Sequence, residues 1–128
     1  MIGLLVVSHS GKAAEGIRDI ALEMGGDDAR IEAVGGDPDG GIGTSVDDIS
    51  AALERLADET DGVVVIVDLG SAVMNAEVAI ESVDDVECVV VDAPLLEGTL
   101  NAAVEASSPN ATLDSVERAA AEVVDLFE

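Results

Sequence analysis

Residues 2–12 read Ile-Gly-Leu-Leu-Val-Val-Ser-His-Ser-Gly-Lys, an apolar run over Ile2–Val7 that breaks off into small polar residues around a histidine. A short β-branched run bounded by turn residues reads as a buried strand. Ile31–Val34, Val63–Val67 and Val86–Val91 have the same character. Helical spacing fills the intervals. It places Ala13, Ile17, Ile20, Ala21 and Met24 on a first helix, and Ile49, Ala52, Leu53 and Leu56 on a second, opened by the cap pattern Ser45-x-x-Asp48. A third helix is expected over Ser71–Ser82. After the fourth strand, Leu96, Leu100, Ala103 and Val104 mark one helix, and Leu113, Val116, Ala120, Val123 and Phe127 another. Strand and helix alternate, so the fold expected is α/β, an open parallel four-stranded sheet covered by helices, in one domain over 1–128.

Composition narrows the function. The chain has 128 residues with 28 acidic against 5 basic side chains, a net charge of 5 − 28 = −23, yet 48% of it is hydrophobic. That is enough apolar material for a core, and Phe127 is the one aromatic residue, so the packing falls to Ala, Val, Leu and Ile. Nucleic acid and anionic membranes are poor partners for such a surface. Repulsion on this scale opposes compactness at low ionic strength and fades as the Debye length shrinks to ~3 Å in molar salt. Acidic residues on every helix, with Lys12 the only lysine, fit a high-salt cytoplasm. Cys88 is the only cysteine, which leaves no internal disulfide and reads as a small buried hydrophobe. No apolar run approaches the ~20 residues of a membrane helix, and Met1–Val7 lacks the charged start and cleavage site of a signal peptide. A soluble cytoplasmic protein is expected.

His9 is the only histidine, and it follows the first strand directly. Ligands of open α/β sheets bind beyond the carboxyl ends of the strands, where strand order reverses. A lone histidine is otherwise an incidental polar residue, but small neighbours leave this imidazole accessible. A neutral imidazole is a nitrogen nucleophile near neutral pH. Attack on a phosphoryl group gives a phosphohistidine, which splits one transfer into two. The other ring nitrogen must be held as a donor, and Asp68, at the end of the third strand, is the candidate carboxylate if strands one and three are neighbours. An Asx turn or a helix-start carboxylate is the competing reading of Asp68. Phosphoryl oxygens need donors, and Gly43-Thr44-Ser45 and Gly70-Ser71 offer backbone N–H groups at helix starts. The glycine-rich segment Gly35–Thr44 lies at a strand end, where loops often carry function.

Counting removes rivals. The Gly40–Gly43 run is no P-loop, because no Gly-Lys-Ser/Thr follows it. With no evident nucleotide, magnesium or metal site, no cofactor is expected, and a relay between proteins is favoured over a self-sufficient kinase. A histidine-phosphatase site needs a second histidine, a receiver domain needs an acidic pair after strand one, and zinc needs three or four ligands.

Val7-Ser8-His9-Ser10, Ile42-Gly43-Thr44, the stretch Asp68-Leu69-Gly70-Ser71-Ala72-Val73-Met74-Asn75-Ala76-Glu77 and Ala93-Pro94-Leu95-Leu96-Glu97-Gly98-Thr99 resemble the DhaM family. These are the phosphotransfer subunits of phosphoenolpyruvate-dependent dihydroxyacetone kinases, similar in fold to the mannose-type IIA domains (EIIA) of the sugar phosphotransferase system. The resemblance runs from about Ile2 to at least Ser107. It implies strand order 2-1-3-4 with helices on both faces, and a homodimer. It implies that the histidine matching His9 is phosphorylated by HPr, itself charged through enzyme I, on the ring nitrogen remote from the backbone. The phosphoryl group would then pass to ADP on DhaL, and the ATP formed would phosphorylate dihydroxyacetone on DhaK. Some relatives carry fused HPr-like and enzyme I-like domains; for a 128-residue chain, separate proteins are expected. Lys12 and Arg18 are expected to soften the negative potential near His9. Other readings are an EIIA component of a mannose-type sugar transporter, a non-catalytic module docked on a kinase, and a small tetrapyrrole metal chelatase, whose chemistry draws on a second histidine missing here.

Overall fold

A computed structural model describes residues 1–26, 28–37 and 39–126. Nine elements follow one another: β1 (Ile2–Ser8), α1 (Gly11–Gly25), β2 (Ile31–Gly35), α2 (Val46–Ala57), β3 (Gly62–Val67), α3 (Gly70–Glu81), β4 (Glu87–Asp92), α4 (Leu95–Ala106) and α5 (Leu113–Leu126). The strands form one parallel sheet in the order β2-β1-β3-β4, as expected. Among the described residues no helix is long and apolar enough to cross a membrane.

Successive strand residues point to opposite faces, and each face has its own helices. Leu4, Val6, Val64 and Ile66 pack with Ala14 and Ala21 of α1, Ala102 and Ala103 of α4, and Val116 and Ala120 of α5. The alternate residues Leu5, Val7, Val63, Val65 and Val67 pack with Ile49, Leu53 and Leu56 of α2 and Ala72, Ala76 and Ala79 of α3. β1 and β3 are covered on both sides, which is why both read as unbroken apolar runs. Burying each of these Val and Leu side chains contributes about 1.5–3 kcal/mol.

The helices depart from the expected faces in detail. On α1 the inward positions are Ala14, Ala21 and Gly25, with Ile17 packed beside them; Ile20 and Met24 lie about half exposed at the margin of that face. On α4, Ala102 and Ala103 point inward, whereas Leu96 and Val104 are exposed. Four-residue spacing alone defines an arc, and the neighbouring helix decides which edge of it is covered. Phe127 lies outside the described residues. β4 begins one residue later than expected and is half-buried, being an edge strand. Cys88 on it is half-buried, and burial, followed by the charge of Glu87, pushes its thiol above the usual range.

The register prepares the site. Ser8 pairs with Gly35, and Val7 with Val67, so three chain segments leave the carboxyl edge of the sheet side by side. Gly35 makes that approach feasible. A Cβ there would lie 2.6 Å from the Ser10 carbonyl oxygen and 2.7 Å from that of Ser8, closer than a side chain can sit against backbone.

Candidate active site

β1 ends in Ser8, and the next residue, His9, emerges over the sheet edge before Ser10 caps α1. Ser10 Oγ accepts from the Ala13 amide at 3.3 Å, and the Ser10 amide donates to Ser8 Oγ at 3.1 Å. The turn carrying the imidazole is therefore pinned on both sides.

Asp68 stands one residue past β3, the strand beside β1. Its Oδ1 is 2.9 Å from His9 Nδ1, and its Oδ2 accepts from the His9 amide and the Ser8 hydroxyl, both at 3.0 Å. Burial alone would raise the Asp68 pKa. The His9 amide, the His9 ring and the Ser8 hydroxyl together outweigh it and hold this carboxyl below the usual carboxylate range. An ionised carboxylate can only accept, so Nδ1 carries the ring hydrogen and Nε2 keeps the lone pair. Ser71 Oγ lies 2.7 Å from Nε2 and donates to it. The imidazole is 19% exposed, neither walled in nor adrift. This arrangement presents one fixed nucleophilic nitrogen at the surface.

Besides α1, whose start follows His9 directly, α3 and α2 begin next to residues bonded to His9 or to its neighbours, and their starts differ. The N-cap of α3 is Leu69, whose side chain caps nothing, and its first turn has no acidic residue. The Gly70 and Ser71 end of α3 thus offers a positive dipole end for an anion. α2 is capped by Ser45 Oγ, which accepts from the Asp48 amide at 3.3 Å, and its first turn carries Asp47 and Asp48. Those carboxylates oppose a second anion.

The described residues of the Gly35–Thr44 segment form a hydrogen-bonded wall. Asp37 Oδ1 accepts from the amides of Asp39 at 2.9 Å and Gly41 at 2.8 Å, and the Asp37 amide donates to the Gly41 carbonyl at 3.0 Å. The Gly43 amide, expected to bind phosphate, donates instead to the His9 carbonyl at 2.8 Å. Thr44 Oγ1 accepts from Asn75 Nδ2 on α3. Gly43 and Thr44 therefore tie the loop to the site. Arg18, expected to soften the local potential, is engaged with Asp19 at 3.1 Å; Lys12 is exposed on the first turn of α1.

His9, Asp68, Gly70 and Ser71 thus converge at one edge of the sheet. The sequence reading missed Ser8 and the Asn75–Thr44 link. A polar residue closing an apolar strand was the available signal for Ser8; Asn75 stands in the Asp68–Glu77 stretch that carries the resemblance, but nothing local gives it a role. Ile42 and Leu69, next to residues bonded to His9, and Met74, three residues after Ser71 on α3, are 75%, 56% and 70% exposed. A cavity of about 500 Å³ lies at the opposite end of the sheet, lined among others by Ile2, Arg30, Ala103 and Pro109. It contains no residue of this cluster. The imidazole, 19% exposed, lies instead at the carboxyl edge of the sheet.

Residues 3–117 match the family described as the PTS system fructose IIA component. The phosphoryl donor subunit DhaM of the PEP-dependent dihydroxyacetone kinase of Pantoea ananatis is 43% identical over 122 residues, 91% of this chain and 25% of that protein. The chain therefore spans about a quarter of that relative's length. The DhaM subunit of PEP-dependent dihydroxyacetone kinase 1 of Listeria innocua is 40% identical over 103 residues, 80% of each chain. A solved structure described as a protein of unknown function has a TM-score of 0.76 at 30% identity, covering 94% of this chain and 92% of the other. The phosphotransferase system component EIIA of Streptococcus agalactiae has a TM-score of 0.67 at 19% identity, covering 96% and 95%, a likeness of fold.

Proposed function

The chain belongs to the IIA family of the phosphotransferase system and stands among the DhaM phosphoryl donor subunits, and from that premise we propose that His9 carries a phosphoryl group between two partner proteins in dihydroxyacetone phosphorylation. Phospho-HPr, charged through enzyme I from phosphoenolpyruvate, is the donor. His9 Nε2 attacks its phosphorus, so that a new P–N bond forms as the donor's P–N bond breaks. The ring gains positive charge, and the Asp68 carboxylate at 2.9 Å from Nδ1 offsets it. The Gly70 and Ser71 amides and the Ser71 hydroxyl hold the phosphoryl oxygens. In the second step an oxygen of the terminal phosphate of ADP on DhaL takes the phosphorus, the N–P bond breaks, and the imidazole returns neutral. The ATP formed is used on dihydroxyacetone held by DhaK. The partners rest on the uncharged rim of Ile42, Leu69 and Met74. The protein acts in the cytoplasm as a homodimer, with a surface adapted to high salt.

One observation carries this reading. Asp68 holds Nδ1, so the Nε2 lone pair of the chain's only histidine, engaged by the Ser71 hydroxyl, faces the uncapped start of α3. The test is incubation with labelled phosphoenolpyruvate, enzyme I and HPr, followed by DhaL–ADP, DhaK and dihydroxyacetone. Acid-labile label on the wild-type chain, absent from His9→Ala and discharged by DhaL–ADP, is expected. Label surviving His9→Ala would overturn the mechanism. Label that only sugar-transporter subunits discharge would move the protein to the transporter branch.

A further inference from the structure

We propose that Asn75 is a positioning residue for the transfer, acting through Thr44 to hold the glycine-rich wall at a fixed distance from the nucleophilic face of His9. This rests on the function proposed above. Four links close a ring around Nε2. The His9 carbonyl accepts from the Gly43 amide at 2.8 Å, and the neighbouring Thr44 Oγ1 accepts from Asn75 Nδ2. Asn75 lies four residues after Ser71 on α3, on the same helix face. Ser71 Oγ closes the ring at 2.7 Å from His9 Nε2.

The wall side of the ring is held from outside as well. Asp37 organises the loop before Gly43, and Ser45 immediately after Thr44 is buried as the cap of α2. Asn75 Nδ2 is therefore a side-chain strut between the wall and α3, one helical turn beyond the residue that touches Nε2. Without it, the direct tie from Thr44 to α3 is lost, and of the two links named above only that from the Gly43 amide to the His9 carbonyl remains. The opening that must fit a phosphoryl group between Ser71 and Thr44 would then vary in width. A rigid opening favours the crowded transition state over the resting imidazole, so the strut acts on turnover and not on partner binding.

The experiment is steady-state and single-turnover phosphorylation of the full chain by phospho-HPr, for wild type, Asn75→Ala, Thr44→Val, Thr44→Ser and the double variant Asn75→Ala/Thr44→Val. A fall in kcat of about tenfold for Asn75→Ala and for Thr44→Val is expected, with KM for phospho-HPr within about twofold. The double variant is expected to be no slower than either single one, because both break the same link. Thr44→Ser keeps the acceptor oxygen and is expected to recover most of the loss. Unchanged kcat in Asn75→Ala, a change confined to KM, or additive losses in the double variant would each overturn the proposal. If Asn75→Ala melts out at the assay temperature, the Thr44→Val and Thr44→Ser comparison decides alone. A wild-type chain that takes no phosphoryl group on His9 would instead refute the underlying function.

Discussion

Replacing Asp68 by Asn keeps the side chain's shape while removing its charge. The carboxylate accepts three hydrogen bonds, from His9 Nδ1 at 2.9 Å and from the His9 amide and Ser8 hydroxyl at 3.0 Å each. A carboxamide has one oxygen and one NH₂ group, so one side must present a donor to donors. With NH₂ at the Oδ2 position, the Ser8 hydroxyl can rotate to accept, and the His9 amide is stranded. A partly buried donor without a partner costs about 1–3 kcal/mol. Taking ~2 kcal/mol, the melting temperature of a domain this size falls by roughly 8 °C. With NH₂ toward the ring, Nδ1 must accept, the proton moves to Nε2, and the nucleophilic lone pair is lost. In either orientation the charge that offsets the phosphorylated ring is gone. Losing one charge-assisted bond, about 1.5–3 kcal/mol, corresponds to a rate loss of about 10–160-fold. Rapid-quench measurement of acid-labile phosphate with phospho-HPr as donor reads the rate, and a circular dichroism melt reads the stability. Phosphorylation of Asp68→Asn within about threefold of wild type would refute the reasoning.

Three further outcomes test the same structure. Asp68 titrates below its ordinary range, so its contribution to stability is present above the unfolded value of ~3.9 and lost as pH falls through the folded value. The stability gap between wild type and Asp68→Asn should therefore close in acid, and a gap constant down to about pH 2 in chemical denaturation would contradict it. Gly35→Ala places a methyl 2.6 Å from the Ser10 carbonyl oxygen, so the turn under His9 must shift; a loss of about 3 kcal/mol by urea unfolding is expected, and a neutral effect would show the approach to be looser than described. At a net charge of −23, lowering KCl below about 0.5 M should depress the melting temperature, since two like charges 10 Å apart in water repel by ~0.4 kcal/mol and dilution removes the screening; a flat salt series would count against adaptation to high salt.

The sheet was legible because β1 and β3 are buried on both faces and therefore carry unbroken β-branched runs. β4 was placed less well, since an edge strand is half solvated and Val86 continues the apolar run without joining the ladder. His9 and Asp68 could be read as partners because both follow strands directly, and strand ends gather at one edge of a parallel sheet. Ser8 carries a local signal, a polar residue closing an apolar strand, but its partner Asp68 follows only from the register between β1 and β3. Asn75 was hidden for the same reason, as its partner Thr44 lies on a distant loop. The place of Gly43 just before a helix start offers its amide to phosphate, but in the fold that amide is engaged with the His9 carbonyl.

The account depends on Nε2 of His9 being the atom that accepts phosphorus. Nitrogen-15 and phosphorus-31 NMR of the phosphorylated chain, with labelled histidine, identifies the bonded ring nitrogen. A phosphorus coupling to Nε2, with Nδ1 still protonated against Asp68, is the predicted result. Phosphorus on Nδ1, or on no histidine nitrogen at all, would contradict it.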